Sequence, residues 1–226
     1  FSNRQRFLIL NGTYYFEPIK YDHVFPLKKY RFYNHLLYGP NNITDMDQYY
    51  SKKCPMMTHA YLKWGKSQQI IKINDFSPGK YNLKNFRDST KMGCNKNTSA
   101  CIHQSKLSGN SLTPVSTCCR HHLNDILLYT TQLLTKHNIP YFIYWGTLLG
   151  CLRHGGSIPW DTDHDLYVLR SSEPELLKLL PEINKIYHVS KDSLLNPYNK
   201  KKTYLYRVNY SNTNKAHLDI YLADLI

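Results

Sequence analysis

No apolar run in this 226-residue chain approaches the roughly 20 residues that a membrane-spanning helix needs, so a helical span within it is excluded. Initiator methionine and secretory leader are both missing, and the chain opens at Phe1. It therefore reads as a piece of a longer protein, with any membrane anchor or signal expected outside it. Acidic residues are scarce: 16 Asp and Glu stand against 29 Lys and Arg, a formal charge of +13. Such a surface attracts polyanions, including nucleotides, phosphorylated glycans, anionic lipid and nucleic acid. Nucleic acid is set aside, because no compact Lys/Arg block and no nucleic-acid-binding signature is present. No C-x2-C pair occurs among Cys54, Cys94, Cys101, Cys118, Cys119 and Cys151, which disfavours a zinc site. An even count of six suits disulfides in an oxidising lumen instead.

Apolar residues make up 42% of the chain, enough for a packed core and too many for wholesale disorder. Four Asn-x-Ser/Thr sequons, at Asn11, Asn42, Asn97 and Asn209, agree with the cysteines on the secretory pathway, in the lumen of the ER or Golgi. No internal repeat is visible. Residues 1–113 form a Tyr- and Asn-rich zone of short alternating runs, such as Tyr14-Tyr15-Phe16 and Gln69 to Ile73, separated by turn signals. This predicts a β-rich leading domain or stem, joined through a polar linker over Asn95 to Pro114 to a second domain over residues 114–226.

In that second part, Ser116 or Thr117 caps a helix with apolar residues at helical spacing, ended by Asn138 and Pro140. Tyr141 to Trp145 is a strand apolar on both faces, and Gly146-Thr147 turns it into a short helix near Leu148–Arg153. A second strand is expected over Asp163–Leu169. A helix then begins at Ser172-Glu173-Pro174-Glu175, with Pro181 expected to end or kink it. Thr203–Tyr210 and Ala216–Leu222 make a hairpin. The fold class is α/β (α+β), a mixed sheet flanked by helices and preceded by the smaller β-rich part.

Chemistry concentrates in Trp160-Asp161-Thr162-Asp163-His164-Asp165. Side chains alternate along a strand, so Asp163 and Asp165 share one face, with Asp161 beside them if the extended chain starts early, while His164 points into the core. Like charges this close call for a cation between them, and Mg²⁺ or Mn²⁺ suits carboxylate and phosphate oxygens. An EF-hand is disfavoured, since the glycine and glutamate of that loop are lacking. In His217-Leu218-Asp219-Ile220-Tyr221-Leu222, Asp219 stands opposite an apolar face. If this strand lies beside the first, Asp219 completes the site as a metal ligand or as a general base. Trp145-Gly146-Thr147 sits where a strand turns into a helix, a place where backbone N–H groups can meet phosphate.

The run Tyr144–Leu166, YWGTLLGCLRHGGSIPWDTDHDL, resembles the signature of the LicD/fukutin family within the nucleotidyltransferase superfamily. The resemblance covers roughly Cys118 to Ile226. It implies transfer of a phospho-alcohol, of the phosphocholine or ribitol phosphate type, from a CDP-activated donor to a glycan hydroxyl with release of CMP. By position it assigns Gly146 and Thr147 to the phosphate-contacting turn, Asp163 and Asp165 to the metal pair, and Asp219 to the third carboxylate. Asp161 becomes the extra family aspartate, Asp219 or Asp161 helps the acceptor hydroxyl attack as the catalytic group, and Arg153 and His154 contact the donor. Cys151 and His164 depart from the family pattern, and the family domain ordinarily continues beyond the position of Ile226. The rival reading is a glycan-binding or scaffolding member of the same fold that no longer catalyses.

Overall fold

The computed structural model describes residues 6–10, 18–44, 59–64, 67–72, 96–97, 117–158, 161, 163–195 and 202–226. Its strands are β1 Phe7–Leu10, β2 Pro18–Lys20, β3 Lys28–Phe32, β4 His35–Gly39, β5 His59–Trp64, β6 Ser67–Lys72, β7 Tyr141–Ile143, β8 Asp163–Leu169, β9 His188–Leu195, β10 Lys202–Asn209 and β11 His217–Leu225. The helices are α1 Tyr21–Val24, α2 Thr117–Lys136, α3 Trp145–His154 and α4 Glu173–Asn184.

β11 organises the main sheet. Leu218, Ile220 and Leu222 are apolar on one of its faces, Tyr221 and Ala223 are buried on the other, and it is covered on both sides as a central strand should be. Along one edge it pairs in parallel with β8, which pairs in turn with β7. Along the other edge β10 takes its first half and β1 its end, with β9 and β2 outside them. The sheet is therefore mixed and seven-stranded, as the α+β reading requires. Its hydrophobic core draws together Leu8, Phe32 and Leu37 from the leading residues with Leu127, Leu134, Leu166 and Leu222 from the later ones.

The boundary expected at residues 113–114, with most of the Asn95–Pro114 linker, falls outside the described residues, as do Tyr14-Tyr15-Phe16, Asn11, Cys54, Cys94 and Cys101. The described part of the leading stretch is not a separate body: β1 and β2 are strands of the main sheet. The hairpins β3–β4 and β5–β6 supply the smaller β-rich part. Among the described residues no helix is long and apolar enough to cross a membrane.

Two local expectations change. Pro181 does not end α4, which runs on to Asn184. A proline inside a helix costs about 3 kcal/mol. Leu179, Leu180 and Ile183 are all buried on the helix around it, and each contributes about 1.5–3 kcal/mol. Packing wins. The strand expected to reach Trp145 stops at Ile143, because Trp145 already belongs to α3. Of the lumenal signals, Asn209 is buried inside β10 and unsuited to carry a glycan in the folded chain, whereas Asn42 is exposed. Cys151 is a buried free thiol and so stands outside any pairing of the six cysteines.

Candidate active site

Register brings the acidic residues together. Asp219 lies directly across from Asp165, and His217 across from Asp163, on the parallel strands β11 and β8. One face of the sheet thus carries both rows, and β10 extends the first of them with Arg207 opposite Asp219. The next row along the same face is aromatic: Tyr221 stacks on Tyr167 at 5.2 Å, and Tyr167 on Phe142 at 5.4 Å. The acidic rows therefore stand at the edge of a rigid apolar floor.

The turn before α3 adds the remaining carboxylate. Trp145 adopts a left-handed backbone (φ 45°), strained for a bulky residue. Its indole N–H donates to the Tyr167 hydroxyl at 3.0 Å, which holds the turn in place. Gly146 is then pressed against the acids: a Cβ there would lie 2.5 Å from an oxygen of Asp161 and 3.9 Å from one of Asp165. Asp161 precedes β8 and still reaches the cluster. Asp161, Asp163, Asp165, Asp219 and Gly146 thus converge, as the sequence suggested.

Thr147 and His164 lie behind this face. The Asp165 backbone N–H donates to the Thr147 hydroxyl at 2.8 Å, and that hydroxyl sits 3.1 Å from Nδ1 of His164. Nε2 of His164 is 3.2 Å from the Ser157 hydroxyl, which donates to Asn124 at 2.6 Å. Burial pushes the His164 pKa down to about 3, with His217 adding to the shift. A neutral ring donating at Nε2 and accepting at Nδ1 satisfies the whole chain. Thr147 is buried and braces β8 rather than facing the acidic side. Arg153 and His154 occupy the last turn of α3, while Gly146 is in its first. Seven residues of helix put about 10 Å between them. His154 is held neutral, its pKa lowered to about 4 by burial and then by Arg153.

Charge on the acidic face is unbalanced. Burial first, then Asp163, Asp161 and Asp219, holds the Asp165 carboxyl well above the usual range, with Arg207 pulling the other way. Arg207 grips Asp219 and reaches Asp192 at 3.1 Å, and its own pKa is raised, chiefly by the hydrogen bond to Asp219. Among the described residues one guanidinium, that of Arg207, stands among these four carboxylates, and a divalent cation would meet the negative charge beyond it. Asp163, His217 and Asp219 offer ligand atoms all within 4.8 Å of one another. The His217 ring is already turned the right way for a ligand. Its Nδ1 donates to the Lys215 carbonyl at 2.8 Å, so in the neutral ring the lone pair of Nε2 faces Asp163 and Asp219. A ring N–H anchored on a carbonyl is the usual support of a metal-binding histidine. The donor set fits a divalent cation.

Strand alternation puts His217 on the face of Asp219, but sequence reasoning gave His217 no role and missed Arg207. An arginine on an alternating strand is an ordinary surface residue until the register opposite it is known.

Residues 138–224 match the sequence model of the LicD/FKTN/FKRP nucleotidyltransferase domain. Similar stretches occur in three relatives. An uncharacterized protein of Rickettsia prowazekii is 35% identical over 103 residues, 45% of this chain and 39% of that protein. Human ribitol 5-phosphate transferase FKRP is 36% identical over 80 residues, 33% of this chain and 16% of the relative. The lipopolysaccharide cholinephosphotransferase LicD of Haemophilus influenzae is 46% identical over 46 residues, 20% and 17% respectively. The chain thus spans well under half the length of each of these relatives. The matched segment begins just before β7 and ends inside β11, so the stretch that resembles the LicD/FKTN/FKRP nucleotidyltransferase domain encloses every residue of the acidic face.

Proposed function

We propose that this protein is a metal-dependent phosphotransferase that moves a phospho-alcohol from a CDP-activated donor to a glycan hydroxyl. The observation that carries the proposal is the convergence of Asp161, Asp163, Asp165 and Asp219 around Gly146 inside the matched segment. Two of the relatives are named for the transfer of ribitol 5-phosphate and of phosphocholine, which supports a phospho-alcohol as the group transferred.

Asp163, Asp165 and Asp219, joined by His217, would hold Mg²⁺ or Mn²⁺. That ion would neutralise the donor diphosphate and stabilise the departing CMP. The chain's own residues do the rest. Gly146 leaves room for the donor to approach the backbone at the start of α3. Both oxygens of Asp219 accept hydrogen bonds from Arg207, so Asp219 positions, and Asp161, whose carboxylate reaches the Gly146 turn, is proposed as the base. Asp161 takes the proton of the acceptor hydroxyl as its oxygen attacks phosphorus, and the bond from phosphorus to the CMP oxygen breaks in line. Arg153 and His154, at the far end of α3, are proposed to contact outer parts of the donor, His154 as a neutral hydrogen-bonding group. A lumenal location belongs to the same proposal, supported by the exposed Asn42-Ile43-Thr44 sequon, whose Asn42 side chain accepts from the Thr44 N–H at 2.9 Å.

Titrating CDP-ribitol, CDP-choline and CDP-glycerol into the full-length protein, with and without Mg²⁺ or Mn²⁺, tests the proposal. Calorimetric binding that needs the metal and disappears in Asp163→Ala is the expected result, and the preferred donor identifies the alcohol. A folded protein that binds neither metal nor any CDP compound would leave a non-catalytic glycan-binding role in its place.

A further inference from the structure

Away from the acidic face, a groove of about 370 Å³ opens between the tip of the β3–β4 hairpin and the first turns of α2. That volume lies at the lower end of the roughly 300–1,000 Å³ typical of small-ligand sites. Arg120, His121, Asn124 and Asp125 line it from α2, and Asn34 and His35 from the hairpin. Arg120 is half-buried, its Nε is enclosed with no hydrogen-bond partner, and its guanidinium forms no ion pair among the described residues. A guanidinium whose enclosed Nε has no acceptor is poised for an anion, and its fork matches phosphate. Two imidazoles flank it. Asp125 is the one acid of the lining, its carboxyl raised by burial with His121 opposing.

The opposite wall is preformed. Tyr33 sits in a left-handed conformation (φ 51°), held by its N–H donating to the Gly155 carbonyl and by its hydroxyl accepting from the Ser157 N–H at 3.2 Å. Such a residue persists only where its surroundings over-determine it. Its ring packs on Gly156, where any Cβ would collide with it, yet stays 41% exposed and offers a flat apolar surface. An aromatic face, amide and carboxylate groups for hydroxyls, and a guanidinium for a phosphate together describe one ligand class. We propose that this groove binds a phosphate-bearing sugar.

The groove is tied to the acidic face without being part of it. Asn124 connects through Ser157, His164 and Thr147 to the backbone of Asp165. The Gly155–Ser157 wall follows the end of α3, whose start meets the acids, and ten residues of helix span about 15 Å. The proposal does not depend on the transferase reading. Where that reading holds, the bound unit belongs to an extended acceptor whose reacting hydroxyl lies further along the chain.

Calorimetric titration of the protein with glucose 6-phosphate, glucose and inorganic phosphate tests it. Glucose 6-phosphate is expected to bind saturably, with glucose and phosphate each at least about tenfold weaker. Arg120→Gln should weaken the sugar phosphate by about tenfold or more with an unchanged unfolding midpoint. Asn34→Ala should weaken it by a few-fold through the hydroxyl contacts, and Asp163→Asn should leave it unaltered. Wild-type affinity in Arg120→Gln, or loss of binding in Asp163→Asn, would overturn the proposal. So would inorganic phosphate binding as tightly as the sugar phosphate, which would mark a plain anion site. Because Asp163→Asn separates the two sites, failure here and failure of the transferase reading give different results.

Discussion

Arg207 holds Asp219 by both carboxylate oxygens, Nε to Oδ1 at 2.7 Å and Nη2 to Oδ2 at 2.8 Å. The grip is unequal in what each partner loses. Asp219 has a side chain only 4% exposed and sits across from Asp165, so without Arg207 it is a buried charge among like charges. Arg207 is 30% exposed and keeps Asp192 when Asp219 is removed.

Arg207→Gln should therefore destabilise the metal-free protein by about 2–3 kcal/mol, below the 3–5 typical of a broken buried pair because Arg207 is partly solvated. Asp219→Asn should cost well under half of that, since it also relieves repulsion in the cluster. Chemical denaturation of both variants checks the order. Added Mn²⁺ should recover stability in Arg207→Gln and much less in Asp219→Asn, because a ligand bound by the folded state alone stabilises it.

Glycine substitutions separate architecture from chemistry. At Gly146 a Cβ meets the end of the Asp161 side chain, which can turn aside. Gly146→Ala should fold with a loss of about 1 kcal/mol or less, while displacing the proposed base and lowering transfer activity by about 10²-fold or more. At Gly150 the collision is with backbone, the Gly156 carbonyl and the Ile158 N–H, which cannot move aside cheaply. Gly150→Ala should cost about 2–3 kcal/mol of stability. Thermal unfolding and kcat measured on the two variants give opposite rankings.

The acid limb of stability should trace to buried histidines. His154 has its pKa lowered from 6.5 to about 4. The unfolded chain thus binds a proton that the folded chain refuses between those two values. Stability is then full above about pH 6.5 and falls as pH drops towards 4. His154→Gln should flatten this slope between pH 6.5 and 4 in urea titrations. His164 adds to the same slope down to about 3, and its replacement would also break the chain from Asn124 to Asp165.

The acidic site was legible because a strand has a period of two. That period puts Asp163 and Asp165 on one face and Asp219 opposite Leu218 and Ile220, whereas the parallel pairing of β8 with β11 that joins them was only a condition in the sequence and is supplied by the fold. What could not be read depends on contacts across strands or between distant segments. Arg207 acquires its role only from the register with Asp219. His164, an apparent departure from the family pattern, is a satisfied core histidine once Ser157 and Thr147 are in place. Strands β1 and β2 looked like part of a separate domain because local alternation carries no information about which sheet an edge joins. Arg153 and His154 share a motif with Gly146 in the sequence, and the helix between them sets them at its opposite end.

His217 should govern which metal the proposed site prefers. A purely carboxylate site suits Mg²⁺, whereas an imidazole ligand raises affinity for Mn²⁺ and later first-row ions. The ring is anchored through Nδ1 on Lys215, and its Nε2 stands 3.8 Å from Asp163 and 3.9 Å from Asp219. Small contractions of these separations would enclose an ion. His217→Gln should weaken Mn²⁺ binding by about 10–100-fold and Mg²⁺ binding by no more than a few-fold. Mn²⁺ electron paramagnetic resonance counts free and bound ion directly and needs no turnover. Equal losses for both metals would mean that the imidazole acts only by position, whereas loss of Mn²⁺ preference alone would place Nε2 on the ion.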